Sequence, residues 1–291
     1  MTYHLAIGDR TYSSWSLRGW LLFEKFGIPV SVETAVLYTD ELPRLLARYA
    51  PARLVPAMRM PDGEVVGETL AMAETLAERH PEAGIWPTDP AARALARWLC
   101  AEMHAGFGAL RGDCAMNLAK SYQDSAPRPE VLADLARIEE IWALARDRFG
   151  AGGRWLFGTY TAADAFFAPV AARIAGYNLP VGAASADYVA AHLADPAFRR
   201  WRAMGWAQHL EQAAYRKPYP ERPWPGPAPL AATVAEGPSV NAACPYSGKP
   251  VTDFLQLGGK VWGFCNPFCR DKTLADPEVW PKFMAMVQAE G

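Results

Sequence analysis

Six prolines, Pro218, Pro220, Pro223, Pro225, Pro227 and Pro229, fall within twelve residues of this chain. Proline lacks an N–H and fixes φ, so such a run is neither a helix nor an inner strand. The segment from Arg216 to Ala243 therefore reads as a stiff extended linker or a strap lying on the surface. It divides the sequence into a long body and a compact tail. The expected boundaries are an α/β unit at 1–82, an all-α unit at 88–214, a proline-rich linker at 215–242 and a cysteine-rich module at 243–291.

The first eighty residues alternate strand and helix signals. His4 to Ile7 is a short apolar run ended by Gly8-Asp9, and Ser14 or Ser16 can cap a helix carrying Leu17, Trp20, Leu21 and Phe23. Val30 to Leu37 alternates as a strand does, and Glu41 to Tyr49 is a short helix. Ala57–Met60 and Glu64–Val66 flank Pro61-Asp62-Gly63, a hairpin signal. Glu68 to His80 carries an apolar helical stripe. The predicted order is β-α-β-α-β-β-α. From Asp89 to Ala214 the period is helical throughout, with clear helices at 91–111, 128–149, 162–177 and 195–212. Thr161-Ala162-Ala163-Asp164 has the form of a capping box.

Composition excludes several classes. The net charge of −2 gives no polyanion-binding signal, so no nucleic-acid partner is expected. No uninterrupted apolar run of about 18 residues is present, so no membrane span is expected. The N-terminus reads as a strand and not as a secretion signal, which makes a cytoplasmic location the expectation. Five cysteines do not make a disulfide framework.

Three local signals suggest thiol chemistry. Tyr12-Ser13-Ser14-Trp15-Ser16 puts hydroxyls at a helix start, where the positive end of the helix dipole favours a thiolate. Val55-Pro56, if cis, would expose backbone for strand-like pairing with a bound peptide. Glu68-Thr69 opens another helix, where a carboxylate can hold an amine and a hydroxyl with free N–H groups can hold a carboxylate.

In this order the three signals resemble the soluble glutathione transferases, over about residues 1–213. The resemblance rests on Tyr12–Arg18 as the serine loop, Leu54-Val55-Pro56 as the cis-proline segment, Glu68-Thr69 as the γ-glutamyl clamp and Gly158–Asp164 as the capped core helix. The loop is similar to that of the zeta class, with Trp15 in place of its cysteine. The resemblance implies a thioredoxin-like first domain, a helical second domain and a homodimer. It aligns Ser13 with the thiol-activating serine, with Ser14 as the close competitor. It implies that Val55 pairs with the cysteinyl backbone and that Glu68 and Thr69 hold the γ-glutamyl end. Trp15, His104, Phe107 and Arg111 are candidate walls for a second, small hydrophobic electrophile, since helical spacing places the last three on one face.

Cys100 and Cys114 read as buried hydrophobes. Cys244, Cys265 and Cys269 are concentrated in the tail. The pattern there reads as a knuckle, a β-hairpin ending at Phe264-Cys265 and a helix starting near Asn266 or Pro267, a treble-clef-like outline. Thiolates so spaced suit zinc or another soft metal, and so small a module generally needs a staple. Cys244, Gly248, Pro250-Val251, Phe264-Cys265, Cys269–Lys272 and Asp276-Pro277 resemble the YHS/TRASH group of small metal-binding modules. Asp253, Asp271, a water or another chain are candidates for a fourth ligand. The expectation is a transferase that activates the glutathione thiol for conjugation or isomerisation. The rival is a non-catalytic glutathione-binding adaptor or metal/redox sensor acting through the tail.

Overall fold

The computed structural model describes residues 2–290. They divide into two compact units, one holding residues up to 193 together with 212–225, the other 194–211 together with residues from 226 onward.

The first unit begins with strand β1 (Tyr3–Ile7), helix α1 (Ser14–Glu24), β2 (Val30–Thr34), α2 (Glu41–Ala47), β3 (Ala57–Arg59), β4 (Val65–Val66) and α3 (Thr69–Arg79). The strands form one sheet in the order β2-β1-β3-β4. Strand β1 runs parallel to β2, with Leu5 beside Val32, and antiparallel to β3, with Leu5 beside Met58. This is the expected β-α-β-α-β-β-α thioredoxin-like layer. Helix α1 buries Leu17, Leu21, Leu22 and Phe23. Gly19 on that helix is a steric requirement. A Cβ there would stand 2.8 Å from Pro56 Cγ, so glycine lets the Val55-Pro56 loop press onto α1. The Val55-Pro56 peptide is cis, as are Ala50-Pro51 and, in the second unit, Gly237-Pro238.

Helices α4 (Pro90–Ala105), α5 (Gly108–Asp113), α6 (Pro129–Phe149), α7 (Ala162–Gly176) and α8 (Ala183–Ala194) follow. The single helix expected over 91–111 is two helices. The chain turns at Gly106-Phe107, where Phe107 is left-handed with φ of 56°. Arg111 Nη1 folds back to donate to the carbonyls of His104 and Gly106, at 3.3 and 3.1 Å, which satisfies acceptors that the helix end leaves open. Helix α7 is buried along its whole length and so lies at the centre of the helical layer. Its start is held by Asp164, whose carboxylate accepts from Thr161 N, Leu156 N and Tyr188 Oη at 2.8, 3.1 and 2.8 Å. Helix α8 lay within the helical region without a boundary of its own in the sequence pattern.

Part of the proline-rich stretch is a strap on this unit. β5 (Ser121–Tyr122) pairs antiparallel with β6 (Glu221–Arg222), two residues that still carry N–H groups between prolines. The Tyr219 ring stands edge-on to Tyr122 and Tyr177, and Arg222 Nη2 donates to Ala175 O at 2.7 Å.

The second unit starts with α9 (Pro196–Trp206), shorter than the expected 195–212. The rest of the proline-rich stretch contributes an edge strand, β7 (Thr233–Ala235). It pairs with β8 (Asp253–Leu257), which pairs with β9 (Lys260–Phe264). Helices α10 (Pro267–Ala275) and α11 (Pro281–Ala289) complete it. The core is Leu255, Leu257, Trp262, Phe264, Val279, Trp280 and Phe283, with Ala203 of α9. Arg199 of α9 grips Asp276 through two bonds of 2.8 Å. The hairpin and the helix starting at Pro267 stand where the sequence placed them. Among the described residues no helix is long and apolar enough to cross a membrane.

Candidate functional site

A cavity of about 220 Å³ opens at the start of α1. It is lined by Trp15, Leu54, Val55, Pro56, Glu68, Thr69, His104 and Arg111. The cis-proline segment and the Glu68-Thr69 pair thus meet at one place, facing three of the four proposed second-substrate residues. Phe107 is not among the lining residues. It is buried at the α4–α5 turn, because the helix breaks where continuous helical spacing would have aimed it at the cavity.

Thr69 is 1% exposed, and its hydroxyl has no hydrogen-bond partner within the protein. An unsatisfied buried hydroxyl costs roughly 1–3 kcal/mol, so a lone one at a cavity wall points to a ligand. Its neighbour Glu68, which precedes α3, has φ of 60° and ψ of 123°. That left-handed backbone strains a glutamate by on the order of 1–3 kcal/mol. The Glu68 carboxylate stands 3.3 Å from His104 Nε2. The other ring nitrogen of His104, Nδ1, is buried without a partner. The His104 ring packs tilted against Trp15, with centroids 5.0 Å apart.

The two candidate serines differ. Ser13 is buried and donates its hydroxyl to Ser16 Oγ at 2.7 Å, while Ser16 Oγ also accepts from Gly8 N. Ser13 therefore ties the loop together. Ser14, half-buried at the first turn of α1, accepts from Arg173 Nη2 at 3.2 Å, which leaves its own proton free to donate. Neither serine is among the residues lining the cavity.

Three guanidinium groups gather behind this loop. Arg18 is fully buried, donates Nε to Phe166 O at 2.8 Å and holds its Cζ 4.2 Å from the Trp15 ring centroid. Arg111 Cζ lies 5.3 Å from the Trp15 ring centroid. Arg173, buried in α7, also donates to Cys114 O. Burial pushes the Arg18 guanidinium far below its usual range, and the charges of Arg173 and Arg111 push the same way. Burial, with Arg111, brings Arg173 down to about 10. A guanidinium keeps its proton in proteins, so both carry positive charge. With the N-terminus of α1 they make a field that favours an anion. No local sequence pattern distinguishes Arg18 or Arg173 as functional. The nearest signal is a lone arginine inside the apolar run 162–176.

In the second unit the Sγ atoms of Cys244, Cys265 and Cys269 all lie within 4.8 Å of one another. Cys265 and Cys269 are 4.0 Å apart. Thiolates on one tetrahedral zinc at about 2.3 Å stand about 3.8 Å apart, so small side-chain shifts bring all three into range. The donor set fits a soft metal. Burial pushes the Cys244 thiol up, but the backbone N–H groups of Tyr246, Cys265 and Ser247 and the Ser247 hydroxyl outweigh it and bring the thiol to about 7. Burial, with the neighbouring thiols, pushes Cys269 up to about 12 without a metal. Asp253 and Asp271 do not join the cluster. Arg270 holds them at 3.1 and 2.7 Å, and His209 Nε2 lies 2.8 Å from Asp271.

Comparison with known proteins agrees with this fold. Residues 12–79 match the family model of the glutathione S-transferase N-terminal domain. A Caenorhabditis elegans protein named "Probable maleylacetoacetate isomerase" is 35% identical over 88 residues, 30% of this chain and 40% of that protein. The chain thus spans about two fifths of the length of the curated relative it matches. A glutathione transferase homolog from Burkholderia, solved with bound glutathione, aligns with a TM-score of 0.53 at 22% identity, over 70% of this chain and 98% of its own. A glutathione transferase from Methylococcus capsulatus aligns at 0.52 and 20%, over 70% and 98%. The omega-class transferase 3C of Trametes versicolor aligns at 0.54 and 20%, over 74% and 92%. The chain therefore has the glutathione-transferase fold, a thioredoxin-like layer followed by a helical one, and carries in addition a cluster of three cysteines able to chelate a metal.

Proposed function

We propose that the first unit binds glutathione and activates its thiol for attack on a small electrophile. The observation that carries this reading is the orphan hydroxyl of Thr69 beside strained Glu68, at a helix start on the wall of the cavity. A γ-glutamyl α-carboxylate would take the Thr69 hydroxyl and the first N–H groups of α3, and its ammonium the Glu68 carboxylate. Val55 would pair with the cysteinyl backbone, which directs the sulfur toward the start of α1.

There Ser14 would donate a hydrogen bond to the sulfur, polarised by Arg173 behind it. Arg18, Arg111 and the α1 dipole would lower the thiol pKa further. The thiol gives its proton to solvent, the thiolate attacks an electrophilic carbon, a sulfur–carbon bond forms, and the leaving group departs with its electron pair. Serine is a hydrogen-bond donor in this scheme and forms no covalent bond. Trp15, His104 and Arg111 would wall the second substrate, so the pocket is cationic and aromatic as well as apolar. The tail would hold zinc or another soft metal through Cys244, Cys265 and Cys269.

Calorimetry with Thr69→Val tests the binding reading. The variant should bind glutathione about tenfold more weakly while its unliganded form gains about 1 kcal/mol, because a buried unsatisfied hydroxyl is gone. Equal affinity in the variant would reject the assignment.

A further inference from the structure

The three tail cysteines form an incomplete ligand set, and among the described residues no fourth donor joins them. Structural zinc sites close with four protein ligands, whereas sites with three keep one position for an exogenous group. Among the described residues, no histidine, aspartate or glutamate joins the Cys244, Cys265 and Cys269 cluster. The nearby acids are committed elsewhere. Asp253 Oδ1 accepts from Arg270 and its other oxygen from Thr252 Oγ1 at 2.9 Å. Asp271 Oδ1 accepts from Arg270, and its other oxygen lies against His209.

The cluster is open on one side. Cys244 and Cys269 are buried, but Cys265 is half-exposed, and Ser247, Asn266 and Pro267 around it are exposed. Two donors stand at this open side, Ser247 Oγ at 3.2 Å and Asn266 Nδ2 at 3.3 Å from Cys265 Sγ. Cys244 receives backbone N–H groups, and Lys272 bears electrostatically on Cys269. Such donors offset the negative charge that accumulates when thiolates gather on one divalent ion. A set of three thiolates is soft and favours a further soft donor over an oxygen ligand.

We propose that the fourth ligand of this site is the thiolate of a small molecule, glutathione being the thiol the first unit is read to bind. The assignment rests on the soft-metal reading of the tail. On binding, the thiol would give its proton to solvent and its sulfur would take the position that a solvent molecule otherwise fills, that solvent molecule leaving. The tail then reports the thiol status of its surroundings through its metal. With a thiol present the site is closed and tight. With thiols oxidised it is open and the ion is released more readily.

The test uses the full-length reduced protein, titrated anaerobically with Co²⁺, whose sulfur-to-metal absorption scales with the number of thiolates. One ion per chain with three-thiolate intensity is expected, and glutathione should raise that band by about one third. N-acetylcysteine, which lacks a γ-glutamyl group, should do the same. S-methylglutathione, which keeps the γ-glutamyl group but has no thiol, should leave the band unchanged. A thiol-insensitive three-thiolate band would overturn the proposal while leaving the metal site standing. Four-thiolate intensity without added thiol, in chains that dimerise only when loaded, would assign the fourth ligand to a second copy and also overturn it. No sulfur-to-cobalt band at all would sink both the metal reading and the proposal.

Discussion

His104 Nε2 lies 3.3 Å from the Glu68 carboxylate, the group proposed above to hold the amine of a γ-glutamyl ligand. The contact couples the helical layer to the thioredoxin-like layer across the cavity. It also sets up a competition, because the imidazole and an incoming ammonium need the same oxygens. His104→Ala should therefore tighten glutathione binding by about threefold to tenfold, in line with removal of one weak exposed contact. Glutathione lacking its α-amine should bind parent and variant alike. Calorimetry with both ligands checks this, and weaker glutathione binding in the variant would show that His104 helps the ligand.

Ser13 and Ser14 differ in their hydrogen bonds, Ser13 donating to Ser16 and Ser14 accepting from Arg173, and the proposed mechanism makes Ser14 the donor to the thiol. Ser14→Ala should reduce turnover of an aromatic chloride electrophile by about tenfold to a hundredfold with little change in stability. Ser13→Ala should cost about 1 kcal/mol of stability, because Ser16 loses its donor within the loop. Steady-state kinetics and urea unfolding of the two variants make the comparison. The reverse pattern would return the catalytic role to Ser13.

His192, on α8, gives the first unit an acid sensitivity. Its ring is buried among Trp155, Tyr160 and Tyr188, its Nε2 has no partner, and burial, with Lys25, depresses it to about 3. The unfolded chain takes up a proton near pH 6.5 and the fold does not, so stability falls as pH drops from 6.5 toward 3. The loss is about 1.4 kcal/mol per pH unit. Asp164, raised by burial to about 6, acts in the opposite direction between about 4 and 6, so the informative quantity is the difference between proteins. Between pH 7 and pH 5, His192→Phe should lose about 2 kcal/mol less stability than the parent in urea unfolding. An identical pH dependence would place the sensitivity elsewhere.

The parts of the site legible in the sequence are those built from neighbours in the chain. Val55-Pro56, the Ala57–Arg59 and Val65–Val66 hairpin and the Glu68-Thr69 helix start are local signals, and each stands as read. The tail hairpin and the helix at Pro267 were legible for the same reason. What the sequence hid is long-range. Arg173 reaches Ser14 across 159 residues, and Arg199 reaches Asp276 across 77, which ties α9 to the tail. The turn at Gly106-Phe107 was hidden differently. A glycine within a helical pattern is tolerated at a cost of about 1 kcal/mol, and the break shows only in the left-handed Phe107 and the return of Arg111 to the carbonyls of His104 and Gly106.

The central claim is that the start of α1, backed by Arg18, Arg111 and Arg173, holds a thiol as its anion. Thiolate absorbance of bound glutathione, followed against pH in parent and Arg173→Gln proteins, tests it most directly. The account predicts saturable binding and a midpoint at least about one unit below the ~8.5 of a free thiol, moving back up in the variant. A bound thiol that titrates near the free value, or no saturable binding, would contradict it.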